Sequence, residues 1–325
     1  CVIMTTEILL NILYKENNHQ SISIDDIGCV IFDEVHYIND KDRGKVWEET
    51  LVLLPREINL VLLSATIDKP EKMASWIGEI KKKNISLITT QHRVVPLKHY
   101  FWNEEDEKLD LIVNEYGKFI NYNEIKKGYI KYNFTTIINN FVNYLKTRNL
   151  LPAIYFKFSR KKCESCAKKI ISTLVTFDEK REIELIFKTQ MAPFKKYYEN
   201  MQQYHDVYNQ LLTGVVYHHS GLIPILKEII EILYAKGLIK LLFATETFAV
   251  GVNMPAKTVI FNDLEKYDNN GLRWLRTDEY LQMSGRAGRR GLDKNGTVII
   301  LPTCDLPTHN VLKSIMTGEK VLESI

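Results

Sequence analysis

Short apolar runs alternate along the chain with longer stretches of helical period. The runs are Cys29–Phe32, Leu60–Leu63, Ala153–Phe156, Gly214–Tyr217, Leu241–Ala244, Thr258–Phe261 and Thr297–Ile300. They are continuous rather than alternating, which is the pattern of strands covered on both faces. Between two of them, the stretch from Pro224 to Gly237 sets Leu226, Ile229, Ile230 and Leu233 on one face. Pro in its first turn and Gly just past its end complete the prediction of a helix. Alternation of this kind predicts an α/β fold whose parallel strands are joined by crossover helices. Cys1-Val2-Ile3-Met4 reads as a further strand already under way. Residues 176–213 read as a helical insertion, with Tyr197, Met201, Tyr204, Tyr208 and Leu211 forming a core-facing stripe.

The pattern lapses between about residues 90 and 150, where Pro96 is followed by the charged stretch Asn103–Lys108 and then an Asn-rich region. A domain boundary is expected there. The 325 residues suffice for two domains. A content of 45% hydrophobic and 26% charged residues, with a mean hydropathy of -0.17, excludes disorder of the whole chain. Charged or polar residues interrupt every apolar run well short of a membrane span. The 43 basic and 40 acidic residues leave a net charge of only +3, so a polyanionic partner would have to be held by a local cluster. Five scattered cysteines fit a reducing compartment, and Cys163-x-x-Cys166 lacks the second pair that would make a zinc set. Both ends read as cut inside the fold.

Four segments carry candidate chemistry. Val30-Ile31-Phe32-Asp33-Glu34-Val35-His36 is a strand ending in two carboxylates. At the carboxyl end of a parallel strand, an Asp can hold Mg²⁺ through water and a Glu can activate an attacking water, although acidic helix caps also follow strands. Leu63-Ser64-Ala65-Thr66 places two hydroxyls after the next strand, where they can relay hydrogen bonds or simply cap a helix. Gln282 to Gly291 packs three arginines and three glycines into ten residues. The glycines keep the backbone compact while the guanidinium groups match phosphate oxygens. Phe243 to Pro255 again runs from a strand through hydroxyl and acid to Gly. Asn269-Asn270-Gly271, between Thr258–Phe261 and Leu272–Leu275, reads as a hairpin turn.

In order, Asp33-Glu34-Val35-His36, Ser64-Ala65-Thr66, Thr245 to Asn253 and Gln282-x-x-Gly285-Arg286-x-x-Arg289 resemble motifs II, III, V and VI of superfamily-two DExH helicases. Met4-Thr5-Thr6-Glu7-Ile8-Leu9 is similar to motif Ib. Phe158-Ser159-Arg160 with Cys163-Glu164 is similar to motif IV, and His218-His219-Ser220-Gly221-Leu222 to the segment that follows it. Trp47-Glu48-Glu49-Thr50, Pro96-Leu97-Lys98-His99-Tyr100 and Phe248 to Pro255 resemble the exosome-associated, superkiller-like RNA helicases. Arg273-Trp274 and Glu279 to Gly285 resemble the nuclear branch, found in polyadenylation complexes, more than the cytoplasmic superkiller branch.

The resemblance implies two RecA-like domains with parallel sheets. Residues 1–95 would be the C-terminal part of a first domain incomplete at its N-terminus. Residues 96–150 would be a linker leading into the second domain, 151–325. Asp33 would coordinate Mg²⁺ through water and Glu34 would activate the hydrolytic water. Arg286 and Arg289 would be arginine fingers reaching the γ-phosphate of ATP. His36, Ser64, Thr66, Glu246, Gly251, Asn253, Gln282 and Gly285 would bind nucleotide or couple its hydrolysis to domain closure. Thr5, Thr6, Ser159 and Thr245 would touch the RNA backbone, and a hairpin with Asn270, Gly271, Arg273 and Trp274 would separate strands. The implied activity is ATP-dependent 3′-to-5′ unwinding of RNA for the exosome and its adaptor proteins, in the nucleus or, alternatively, the cytoplasm, without a membrane. One departure stands out, since no G-x-x-x-x-G-K-[ST] phosphate loop occurs. Gly44-Lys45 comes nearest, but Asn39 takes the first Gly position and Val46 follows the Lys. The isolated chain is therefore expected to hydrolyse ATP poorly. A DNA-repair or spliceosomal helicase and an ATP-independent RNA-binding scaffold stay open as alternatives.

Overall fold

The computed structural model describes every residue except 15–22, 40–42, 65–68, 91–92, 249–253, 269–270 and 318–325. The chain divides into two compact units, Cys1–His92 and Arg93–Ile325.

In the first unit, β1 (Cys29–Phe32) and β2 (Asn59–Leu62) pair in parallel. Helices Thr6–Tyr14 and Gly44–Leu53 close a small core of Leu9, Leu13, Phe32, Val35, Trp47 and Leu51. The helix Pro70–Lys81 ends on Lys81, whose buried ammonium donates to the carbonyls of Val52 and Leu54 at 3.3 and 2.5 Å. It thereby satisfies acceptors that the end of Gly44–Leu53 leaves open. The apolar runs here are covered on one face only, and Ile31 is 64% exposed. Cys1–Met4, expected as a strand, belongs to no sheet among the described residues. Without a neighbouring strand the segment has no ladder to complete, and Val2 and Ile3 are exposed.

The second unit is built on a seven-stranded sheet of order β4-β3-β11-β8-β5-β7-β6. The strands are β3 (Leu97–Asn103), β4 (Lys108–Val113), β5 (Ala153–Phe156), β6 (Val215–His218), β7 (Leu241–Ala244), β8 (Thr258–Phe261) and β11 (Gly296–Ile300). All pairs are parallel except β3 with β4. Strands β5 to β8 are buried at every position, as their continuous apolar sequences require. Pro224–Ala235 forms the expected helix, burying Leu226, Ile229, Ile230 and Leu233.

Two features differ from expectation. Residues 96–150 do not form a linker. They add β3 and β4 to the sheet and pack the helix Phe134–Thr147 on it through Ile137, Ile138, Phe141, Val142 and Leu145. The insertion 176–213 is helical, but it breaks before the helix Gln202–Leu211. The expected stripe is split accordingly. Tyr204 and Tyr208 pack on Phe187 and Leu211 is buried, whereas Tyr197 and Met201 are exposed. Among the described residues no helix is long and apolar enough to cross a membrane.

Candidate functional site

In the first unit, the main-chain ladder continues past β1 and β2. Leu63 N–H donates to the Phe32 carbonyl at 2.8 Å, and Val35 N–H to the Leu63 carbonyl at 2.9 Å. This brings Asp33-Glu34 and Ser64 to one corner, at the carboxyl edge of the strands. The corner is tight. Glu34 takes a left-handed φ of 55°, and its N–H donates to Asp33 Oδ1 at 3.0 Å. A non-Gly residue held there stores about 1–3 kcal/mol of strain, a cost typical of functional corners. His36 Nδ1 lies 3.2 Å from Ser64 Oγ and 3.2 Å from Glu34 Oε2. The second contact is an ion-pair contact, and among the described residues that buried carboxylate oxygen has no hydrogen-bond partner. A carboxylate oxygen with hydrogen-bonding capacity to spare beside the exposed Asp33 carboxylate fits a water or a hydrated cation. Thr5 opens the helix Thr6–Tyr14, its carbonyl accepting from the N–H groups of Ile8 and Leu9, and Thr6 is half-buried. Thr66 lies outside the described residues.

In the second unit, the candidates occupy opposite edges of the sheet. Ser159 follows β5 and caps the helix Arg160–Ala167, accepting from the Lys162 N–H. Thr245 follows β7; its N–H donates to the His218 carbonyl at 3.3 Å and its hydroxyl meets Thr247 Oγ1 at 3.0 Å. Both are at the carboxyl edge. Beside them, His219 Nδ1 accepts from the Gly221 N–H, so Nε2 carries the proton and donates to Glu164 at 2.9 Å. The arginine loop lies at the amino edge, where Ala256, just before β8, bridges Ala287. There Ala256 N–H donates to the Arg286 carbonyl and Gly288 N–H to the Ala256 carbonyl, both at 2.8 Å.

The loop's glycines are dictated by space. A Cβ on Gly285 would sit 2.6 Å from the Leu281 carbonyl oxygen. On Gly288, at φ +87°, it would sit 2.5 Å from Val95 Cγ1. Arg93 holds the loop from below, donating to the carbonyls of Val95, Gly285 and Ala287 at 2.8, 2.6 and 3.0 Å. Arg289 is gripped by Asp293 through Nε at 2.8 Å, a terminal nitrogen at 3.0 Å and its own N–H at 2.9 Å. Gln282 sits in the helix Thr277–Ser284 and Arg286 in the turn after it, each with partners of its own. Gly251 and Asn253 lie outside the described residues.

The hairpin differs from expectation. Its strands are β9 (Glu265–Asp268) and β10 (Gly271–Trp274), whereas Thr258–Phe261 belongs to the central sheet as β8. Gly271, at φ +117°, opens β10, and Asn270 lies outside the described residues. Arg273 and Trp274 were the expected strand-separating side chains, but both are engaged within the unit. Arg273 donates to Glu279 at 2.9 and 2.8 Å and to Asp268 at 2.7 Å, and Trp274 packs against the core. The apolar side chains that the hairpin offers to solvent are the cross-strand partners Tyr267 and Leu272, 79% and 53% exposed. Glu246, after β7, pairs with Lys266 of β9. Lys266 also reaches Glu279 at 2.8 Å. Burial alone would raise the Glu279 carboxyl, but hydrogen bonds from Arg273 and Lys266 outweigh it and bring it down to about 2.

Arg93, Asp293 and Tyr267 escaped the sequence reading, in which Glu279 and Leu272 stood only as members of quoted segments with no role of their own. Arg289 and Asp293 do stand four residues apart, a spacing that brings side chains together on a helical turn. Arg93 offered no local signal. Cys163 and Cys166 lie buried on one helix, and burial pushes the Cys163 thiol up to about 12. Among the described residues no three His, Cys, Asp or Glu side chains converge to hold a metal. A cavity of about 350 Å³ opens beside β3 and β4, lined by Trp102, Glu104, Asp110, Glu124 and Tyr129, and none of the motif residues lines it.

A family model described as DEAD/DEAH box helicase matches residues 1–74, and one described as Helicase conserved C-terminal domain matches residues 168–291. Superkiller complex protein 2 of Mus musculus is 41% identical over 98% of this chain and 28% of its own length. Exosome RNA helicase MTR4 of Mus musculus is 41% identical over 93% of this chain and 30% of its own length. Antiviral helicase SKI2 of Saccharomyces cerevisiae is 37% identical over 99% of this chain and 29% of its own length. The chain thus spans less than a third of each of these relatives, and identity does not separate the first two.

Proposed function

Because the chain belongs to the DEAD/DEAH box helicases, in their exosome-associated, superkiller-like group, we propose that its protein is an ATP-dependent 3′-to-5′ RNA helicase that unwinds and threads RNA for exosome-mediated processing or decay. The observation that carries this reading is the corner where Glu34 Oε2, which among the described residues accepts no hydrogen bond, lies beside exposed Asp33 and 3.2 Å from His36. ATP would bring the phosphoanhydride that is cleaved, and Mg²⁺ would neutralise charge on its phosphates. Asp33 would hold the hydrated cation, Glu34 would accept the proton of the water that attacks the γ-phosphorus as the bond to ADP breaks, and His36, itself held by Ser64, would keep the Glu34 carboxylate in place. Arg286 and Arg289 offer guanidinium groups to the phosphates, while Glu246 and Gln282 set the segments that carry Thr245 and those arginines. Thr5, Thr6, Ser159 and Thr245 follow the RNA backbone. The hairpin acts through Tyr267 and Leu272, the side chains it exposes.

RNA, the exosome and adaptor proteins are the proposed partners, and the nucleus is the proposed compartment. The segments Arg273-Trp274 and Glu279 to Gly285 support the nuclear assignment. The test of the function compares ATP hydrolysis by the intact protein in the presence of RNA and of DNA. Stimulation by RNA is expected, and stimulation by DNA alone would overturn the reading.

A further inference from the structure

Lys266 and Arg273 stand directly opposite each other across β9 and β10. Two cations so placed push a hairpin apart. Here Glu279, only 8% exposed, sits between them. It accepts from both guanidinium terminal nitrogens of Arg273, from the Arg276 N–H at 2.9 Å, and meets Lys266 at 2.8 Å. Lys266 in turn reaches Glu246, directly after Thr245. One face of the hairpin is therefore clamped around Glu279, which meets both cations, with Asp268 on Arg273 and Glu246 on Lys266 beside it. Alternation along the strands puts Tyr267 and Leu272 on the other face, with Glu265 and the core-packed Trp274 two residues further from the turn.

Glu279 lies in the first turn of Thr277–Ser284, the helix that leads into the Gly285-Arg286 turn. Eight residues at about 1.5 Å each make a rod of about 12 Å from the carboxyl edge of the sheet to its amino edge. Tyr280 fixes that rod to the sheet, stacking on Phe261 at 4.8 Å and sharing a 2.7 Å hydrogen bond with His99.

We propose that Glu279 is a positioning residue that makes the hairpin, the Thr245-Glu246 segment and the arginine-bearing helix one rigid body, and so aims Tyr267 and Leu272 at the duplex. The inference rests on the helicase reading above. Without the carboxylate the hairpin loses the group that, among the described residues, meets both facing cations, leaving Asp268 on Arg273 and Glu246 on Lys266, while Arg286, Arg289 and the Asp33-Glu34 corner keep their own contacts. Nucleotide turnover then continues with the wedge unaimed.

The test uses the intact protein with Glu279→Gln and, in case that variant folds poorly, Arg273→Lys, which keeps the charge but loses the paired fork. Amide hydrogen exchange should rise in residues 265–274 while β5, β7 and β8 stay protected. Duplex unwinding should fall between about 10- and 100-fold further than RNA-stimulated hydrolysis, the scale of a misplaced rather than missing group. Unchanged exchange in the hairpin, or equal loss of unwinding and hydrolysis with the hairpin still protected, overturns the proposal. A native protein showing neither RNA-stimulated hydrolysis nor unwinding sinks the helicase reading instead, and the exchange measurement still decides whether Glu279 clamps the hairpin.

Discussion

Arg289 and Asp293 form a two-pronged ion pair, with Nε at 2.8 Å from one carboxylate oxygen and a terminal nitrogen at 3.0 Å from the other. The pair fixes the plane of the guanidinium. A phosphate presents oxygens at similar spacing, so it competes with Asp293 for the same donors. Arg289→Ala is expected to lower RNA-stimulated ATP hydrolysis by about 10³-fold or more. Arg289→Lys should fall nearly as far, because an ammonium does not reproduce the fork. Asp293→Asn should lie between these and the native protein. Phosphate release at saturating RNA measures all three, and an Asp293→Asn loss equal to Arg289→Ala would show that loop shape, not the guanidinium, carries the effect.

The buried parallel strands were legible because their apolar runs are uninterrupted, as in Ala153–Phe156 and Leu241–Ala244. Strands β3 and β4 were not. Lys98, His99 and Asp110 break their apolar sequences, since β4 is an antiparallel edge strand with one side toward solvent. The helix Phe134–Thr147 was hidden by Asn139, Asn140 and Asn143, which fall between the core positions. The contiguous motifs were equally readable, but the contacts that shape them were not. Arg93 grips carbonyls 192 and 194 residues away, and no periodicity announces such a partner. Arg273 looked free in the sequence because its partner Glu279 lies on the next element.

Glu34 is the group assigned to the attacking water. Glu34→Gln keeps the shape of the strained corner but removes the base. Hydrolysis should fall by about 10²- to 10⁴-fold with nucleotide affinity nearly unchanged. Parallel measurements of turnover and of binding of a fluorescent nucleotide check this. Equal loss of both would show that Glu34 only supports the fold.

His99 makes acid weaken the second unit. Burial, with the positive charge of Arg93 nearby, brings its imidazole down to about 4. Between pH 4 and 6.5 the unfolded chain therefore takes up a proton that the folded chain refuses, and stability rises with pH across that window. The contribution is complete above the unfolded value and is lost as pH falls toward the folded one, about 3 kcal/mol in all. Urea unfolding at several pH values should show a shallower slope in His99→Gln than in the native protein, even though the variant starts lower for want of the Tyr280 contact.

Gly288 and Gly291 both have left-handed backbones, at φ +87° and +79°, but only Gly288 is hemmed in. A methyl group there meets Val95 Cγ1 and, at 3.0 Å, Gly296 Cα, whereas nothing lies within 4 Å at Gly291. Gly291→Ala should cost about 1 kcal/mol from its backbone alone. Gly288→Ala should cost at least about 3 kcal/mol, since the β11 backbone cannot yield easily. Chemical denaturation of the two variants separates the contributions, and equal losses would mean that the loop can move off β11.

Tyr267 and Leu272 face each other across the hairpin and are both exposed, an arrangement that folding alone does not reward. A ring beside an aliphatic side chain can stack on the last base pair and hold it open, and such base stacking is worth about 1–3 kcal/mol. Tyr267→Ala with Leu272→Ala should therefore slow duplex unwinding by about tenfold or more, with a smaller effect on RNA-stimulated hydrolysis. Trp274→Ala should act differently. Its ring packs on the core, so the loss should appear first as reduced thermal stability. Unwinding of a short duplex with a 3′ overhang, measured beside hydrolysis on the same preparations, distinguishes the two. If Tyr267 and Leu272 can be removed without slowing strand separation while Trp274 cannot, the wedge is the half-buried indole of Trp274 instead.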